Sequence, residues 1–243
     1  MNPKSSEARN KNEKPFEGLK IANSEVLHSI STRSPCPMCH KSRMYFCYTC
    51  FVPVTQLEGK LPICKLPLKV DIIKHRREID ELPQGYNVGT LMTKVYDNDE
   101  SNEIYHICDL PVDRLVLIDS TWNQSRGIFA DNRIRCIPKV VVKKRISEFW
   151  RHQKGSPRWY LSTIEALHEF LLELHICAWG LDETYITKIT TNFPVHDKEN
   201  HPQCKPYNGQ YDNLLFFFKF MYEKLHALYR HENLLAYKRP MQL

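Results

Sequence analysis

Four cysteines within fifteen residues constrain this chain more than any other feature. They read Cys36-Pro-Met-Cys39 and Cys47-Tyr-Thr-Cys50, a Cys-x2-Cys-x7-Cys-x2-Cys pattern. Each Cys-x2-Cys pair can aim two sulfurs at one ion from a single tight turn, and four thiolates complete a tetrahedral zinc sphere with no open position. A closed sphere is structural. Cys36, Cys39, Cys47 and Cys50 are therefore expected to hold Zn2+ as a scaffold over residues 33–53. His40 directly follows Cys39 and could replace one ligand, but two complete pairs make that unnecessary. The competing reading, a redox or purely structural thiol cluster, explains the paired spacing less well. A bound ion would stabilise a segment too short to build its own core.

Nine cysteines in 243 residues also bear on compartment. Residues 1–12 are polar and charged, with no apolar signal core, and no run of about eighteen apolar residues exists to cross a membrane. An intracellular, soluble protein keeps its thiols reduced. Cys64, Cys108, Cys136, Cys177 and Cys204 show no paired spacing and are expected to be ordinary buried or half-buried thiols. A hydrophobic content of 42% supports a real core, so disorder is not the default. The expected organisation is a flexible tail over 1–32, the zinc element over 33–53 and one domain over 54–243.

The net charge of +6 is modest, but its distribution is uneven. Residues 133–158 hold nine Lys/Arg against one acid, Glu148. Such a concentration repels itself unless a polyanion neutralises it, or unless it is simply a solvated face.

Periodicity predicts a strand after Pro67 over residues 68–75, a short strand within 90–96, and a buried strand over 114–118, whose continuous apolar run suits a parallel sheet. A helix is expected over 123–132 and a β-branched strand over 139–143. An amphipathic helix is expected from 162 to about 177, and a last helix over 213–229. The apolar run 214–218 is too short for a membrane and reads as core packing. Alternating strands and helices predict α/β architecture.

Asp119-Ser120-Thr121-Trp122 lies just past the carboxyl end of the 114–118 strand and just before a helix. Open α/β sheets bind ligands at that place, and a helix N-terminus offers free N–H groups to an anion. An acid there can accept a proton, and a tryptophan can stack on a nucleobase. Ordinary capping and core packing explain the same residues.

The order of several motifs separates these readings. Strand-Asp119-Ser-Thr121-Trp122-Asn-Gln resembles the Asp-x-Thr-Trp signature of the DTW-domain family, the tRNA-uridine aminocarboxypropyltransferases. The cysteine cluster resembles that family's N-terminal zinc element. Asp71-Ile-Ile-Lys-His75-x-x-Glu78 is similar to its strand ending in His-x-x-Glu, and Phe149-Trp-Arg151 with Leu161-Ser-Thr163-Ile-Glu165-Ala166 resembles its Arg…Ser-Thr-x-Glu-Ala block. The segment 209–217 is similar to one eukaryotic branch of the family.

The resemblance implies a SPOUT-like knotted fold, with a mostly parallel sheet flanked by helices. It also implies transfer of the 3-amino-3-carboxypropyl group of S-adenosylmethionine to N3 of a tRNA uridine, forming acp3-uridine, and it suggests a nuclear location. The partners are then tRNA and S-adenosylmethionine, with no membrane. Asp119 is expected to take the N3 proton or orient the uracil edge. Arg151 is expected to bind the donor's carboxylate or an RNA phosphate. Thr121 and Trp122 belong to the same catalytic signature, with Trp122 stacking on a base or walling the pocket. Ser120, Thr163 and Glu165 are expected to contact the donor, although Ser162-x-x-Glu165 is also a capping box. His75 would shuttle protons, touch RNA or serve structurally. The basic stretch would hold tRNA phosphates.

The chain departs from the family pattern in one place. Only 43 residues separate His75 from Asp119, and no Phe-Pro-Ser-like loop lies among them. That segment, 76–113, would supply part of the donor pocket. A second reading follows: a zinc-containing tRNA-binding protein of the same fold with impaired catalysis.

Overall fold

The structure is a computed structural model. It describes residues 15–75, 93–95, 110, 112–142, 146–150, 159–185 and 205–229.

β6 (Lys69–Lys74) and β8 (Arg114–Asp119) form a parallel pair, in register from Lys69 opposite Arg114 to Lys74 opposite Asp119. These are the strands expected after Pro67 and over 114–118. At the start of β8 Arg114 pairs with Asp71 at 2.5 Å in solvent, a contact worth little in energy. Leu115 points into the core. β5 (Cys64–Leu66) runs parallel to β7 (Thr93–Val95), which falls within the strand expected over 90–96. Parallel pairing and the packed helices bear out the α/β class. Among the described residues the strands pair two by two.

α3 (Thr163–Trp179) is the central helix. Ile164, Leu167, Leu171, Leu172 and Ile176 recur at helical spacing and bury one face. The helix ends at Gly180, whose φ of 80° lets the chain turn away. α4 (Phe216–Leu228) follows a 3-10 turn, Asp212–Leu215, and is buried on two sides. Phe218 packs with the α3 cluster, while Phe216, Phe217 and Phe220 pack with Leu27, Ile30, Val54 and Leu57. That double burial accounts for the apolar run 214–218. α2 (Trp122–Phe129) directly follows β8, a few residues shorter than expected.

Three expectations are corrected. No strand forms over 139–142: Val140 is 64% and Val141 92% exposed, so these β-branched residues face neither a partner strand nor a core. Cys136 and Cys177 are exposed, although Cys64 is buried; Cys108 and Cys204 lie outside the described residues. The tail expected over 1–32 gives way to packed chain from residue 15. Phe16, Leu19 and Ile21 pack on the core, and Leu27 of α1 (Glu25–His28) is fully buried. The N–H groups of Lys20 and Ala22 donate to Asp212 Oδ2 at 2.6 Å and Asn213 Oδ1 at 2.7 Å. Hydrophobic anchors spaced through a polar segment are enough to dock it.

The cysteine-bearing segment folds as two small hairpins, β1 (Ser34–Pro35) with β2 (Ser42–Arg43) and β3 (Phe46–Cys47) with β4 (Val52–Pro53). It leans on α4 for its apolar support. The rings of Phe46 and Phe217 lie 5.5 Å apart, those of Tyr45 and Phe220 lie 5.2 Å apart, and Lys224 Nζ donates to the Tyr45 hydroxyl at 2.7 Å.

Candidate functional site

The carboxyl end of β8 meets the N-terminus of α3. Asp119 closes β8 and is buried, and its Oδ1 accepts a hydrogen bond from Thr163 Oγ1 at 2.8 Å. Thr163 is the first residue of α3. Across the sheet, Lys74 is the register partner of Asp119, and the N–H of His75 donates to the Asp119 carbonyl at 3.0 Å. Burial raises the Asp119 carboxyl above the ordinary value, against the opposing pull of Thr163 and Lys74. A carboxylate made more basic in this way is a better proton acceptor near neutral pH. Two motifs 44 residues apart, Asp-Ser-Thr-Trp and Ser-Thr-x-Glu-Ala, thus converge.

The signature residues take different positions. Ser120 follows the strand, and its Oγ is buried with no hydrogen-bond partner among the described residues. Thr121 is the exposed N-cap of α2 and forms a capping box with Gln124, whose Oε1 accepts the Thr121 N–H at 2.9 Å. Trp122 opens α2. Arg151 lies outside the described residues.

Glu165 is buried and saturated. Its Oε2 accepts from the Ser162 N–H at 2.8 Å, the Ser162 hydroxyl at 2.7 Å and the Ser147 hydroxyl at 2.8 Å, and its Oε1 accepts from the Glu148 N–H at 2.8 Å. Burial pushes its pKa up and these donors oppose the shift. Direct donor contact by Glu165 is therefore not what the geometry favours. The carboxylate closes the capping box and holds residues 147–149. Ser147 also receives the Phe149 N–H at 3.1 Å. Ser147 has no motif of its own, and only the tertiary fold brings it to Glu165.

The four cysteines converge as predicted. Their sulfurs lie within 4.8 Å of one another, and Cys39 and Cys47 are 3.6 Å apart. Tetrahedral Zn–S bonds of about 2.3 Å imply S···S separations of roughly 3.8 Å, so the cluster fits the ion. The N–H groups of Met38 and Cys39 point at Cys36 Sγ, at 3.4 and 3.5 Å. Arg43, buried and stacked 4.0 Å over Tyr48, donates through Nε to Cys47 Sγ at 3.4 Å. Burial raises the Cys47 thiol, but Arg43 and nearby backbone N–H groups outweigh it and bring the value down to about 6. Beside Cys39, Cys50 is pushed up to about 12. Sulfurs this close repel as thiolates, the charge arrangement a divalent cation neutralises. The two turns repeat one backbone solution: His40 and Phe51 have φ of 57° and 56° and donate N–H to Cys36 O at 3.0 Å and Cys47 O at 2.8 Å. His40 is not one of the converging ligands.

In the basic stretch, Arg133 is engaged by Asp131 at 2.7 Å, while Arg135 and Lys139 are exposed. Residues 143–145, 151, 154 and 158 lie outside the described residues. Among the described residues no helix is long and apolar enough to cross a membrane.

Comparison with known proteins adds a family. A model of the DTW domain matches residues 92–226. The chain is 31% identical to tRNA-uridine aminocarboxypropyltransferase 1 of Xenopus tropicalis over 273 residues, covering 85% of each chain. It is 32% identical to the Rattus norvegicus protein of that name, over 86% of this chain and 83% of the relative. With the Homo sapiens protein the identity is 33%, over 87% and 84%. These alignments are longer than the part of this chain they cover, so the relatives carry residues that this chain lacks. No solved structure matches. A DTW-domain match across more than half the chain, its signature at the end of β8, and relatives matched over most of their length show that the chain belongs to the DTW-domain family.

Proposed function

We propose that this chain is a tRNA-uridine aminocarboxypropyltransferase. The observation that carries the reading is Asp119, buried at a strand end and held by Thr163 from the Ser-Thr-x-Glu-Ala block. Uridine N3–H is a weak acid. Asp119 takes that proton while N3 bonds to the terminal methylene carbon of the donor's aminocarboxypropyl group. The carbon–sulfur bond breaks, its electron pair stays on sulfur, and methylthioadenosine leaves. The sulfonium of S-adenosylmethionine supplies the good leaving group, so the protein's task is to position two reactants and select that carbon over the methyl. Arg151 binds the donor's α-carboxylate in this proposal, and Ser120, Thr121 and Trp122 shape the same end of the sheet. The basic residues of 133–158 hold tRNA phosphates. Zn2+ held by Cys36, Cys39, Cys47 and Cys50 stabilises residues 33–53 and takes no part in the chemistry, and the DTW domain proper spans 54–243. Resemblance to the family also supports a SPOUT-like fold and a nuclear location; the parallel β6–β8 pair with a helix after β8 agrees with the former.

The test is incubation of the purified chain with zinc, S-adenosylmethionine and unmodified tRNA, followed by nucleoside mass spectrometry. Acp3-uridine and methylthioadenosine are expected in equal amounts. No product above background would overturn the reading, and S-adenosylhomocysteine instead would indicate methyl transfer. The residues lacking here relative to the family favour the second reading, a tRNA-binding protein with a reduced donor pocket. Calorimetric titration with S-adenosylmethionine separates the two, because only the enzyme binds the donor.

A further inference from the structure

We propose that Ser147 is a positioning residue for this reaction, acting through Glu165 and Thr163 on Asp119. The inference rests on Asp119 being the proton acceptor, and it adds a residue that no motif marks.

The contacts form a continuous path. Ser147 Oγ donates to Glu165 Oε2 at 2.8 Å, and the neighbouring Glu148 N–H donates to Oε1 at 2.8 Å. The same carboxylate receives the Ser162 N–H and hydroxyl at 2.8 and 2.7 Å, which fixes the cap of α3. Thr163, the next residue, donates to Asp119 at 2.8 Å. One buried carboxylate therefore ties the 147–149 segment to the turn that aims the Thr163 hydroxyl. Ser147 is itself buried and accepts the Phe149 N–H at 3.1 Å. Phe149 is packed against Trp150 and Phe218, at ring separations of 4.8 and 6.3 Å, so this end of the path is anchored in the core.

An ordinary helix cap does not need this arrangement. The reciprocal Ser162–Glu165 bonds already complete the capping box. The donors from 147 and 148 are additional. They come from residues just before Phe149-Trp150-Arg151: the Ser147 hydroxyl shares Oε2 with the Ser162 donors, and the Glu148 N–H holds Oε1. Without them Glu165 can turn toward its cap alone, and the Thr163 hydroxyl loses its fixed bearing on Asp119. Small misplacements of a catalytic group cost large factors in rate, up to roughly 10²-fold for about 1 Å.

Asp119 also faces Lys74 on β6, with His75 adjacent to it. Both remain in place when Ser147 is changed, so the Thr163 bond is the contact that varies. That bond favours the ionised carboxylate. Loosening it raises the pKa of the base, so a higher pH is needed to ionise it. The acid limb of the kcat profile therefore moves to higher pH.

The experiment compares wild type, Ser147→Ala and Ser147→Cys in acp3-uridine formation across pH, well below each protein's melting temperature. Ser147→Ala should lower kcat by about tenfold and move the acid limb upward, with the Kd for tRNA unchanged. Ser147→Cys, similar in size with a weaker donor, should show a smaller shift in the same direction. It remains decisive if the alanine variant does not fold. Variants with lowered stability but the wild-type kcat and pH profile would show Ser147 to be structural only and overturn the inference. An inactive wild type would instead overturn the function on which the inference stands.

Discussion

Replacing Asp212 tests how the site is held in place. Asp212 is fully buried where three parts of the chain meet. Its carboxylate accepts from the Lys20 N–H at 2.6 Å, the Tyr185 hydroxyl at 2.5 Å, the Tyr207 hydroxyl at 2.7 Å and His168 Nε2 of α3 at 3.0 Å. Burial alone would raise its pKa, but His168 and the two tyrosines outweigh burial and hold it below the ordinary value. Asp212→Ala leaves these donors facing an apolar void. Truncating one partner of a buried charged network costs about 3–5 kcal/mol, a large share of a typical stability of roughly 5–15 kcal/mol. Asp212→Asn keeps the shape and one acceptor oxygen and should cost about 1–3 kcal/mol. Urea unfolding followed by circular dichroism and tryptophan fluorescence would read these losses as shifts in midpoint at constant slope. The sign of the pH dependence follows from the lowered carboxyl. Its contribution is present above the unfolded value near 4 and is lost as pH falls through the folded value. The gap between wild type and Asp212→Asn should therefore narrow below about pH 4. A loss under about 1 kcal/mol for the alanine variant, or a gap independent of pH, would refute the reasoning.

Three further outcomes are expected. Gly209 has φ of 98°, and a Cβ there would lie 2.9 Å from Asp212 Oδ2 and 3.0 Å from both Lys20 Cβ and Tyr185 Cε2, so Gly209→Ala should cost roughly 2–4 kcal/mol in the same urea assay. Cys47→Ser should lower the thermal midpoint and abolish its dependence on added zinc, with activity falling only as the fold is lost; a fully folded but inactive variant would contradict a scaffold role. Asp119→Asn should reduce acp3-uridine formation by about 10²–10⁴-fold while leaving tRNA affinity within about twofold, measured by single-turnover assay and filter binding.

Much of the local structure was legible in the chain itself. The Cys-x2-Cys pairs marked a four-sulfur centre because ligand spacing is set by one tight turn, a local property. The apolar run of β8 and the periodicity of α3 are likewise encoded in neighbouring residues. The Asp-Ser-Thr-Trp signature could be placed at a strand end from the same pattern. Contacts between distant residues were not legible. Nothing near Ser147 indicates that its hydroxyl meets Glu165, and a polar segment at 15–24 does not show that its N–H groups will cap Asp212 and Asn213 nearly two hundred residues away. The valines at 140–142 have the composition of a strand, but a strand needs a neighbour to bond and a core to face, and Val140 and Val141 face neither. The cysteine element needed the same tertiary information: the sequence determined its four-sulfur geometry by spacing, whereas only the fold supplied its missing core, the phenylalanine face of α4.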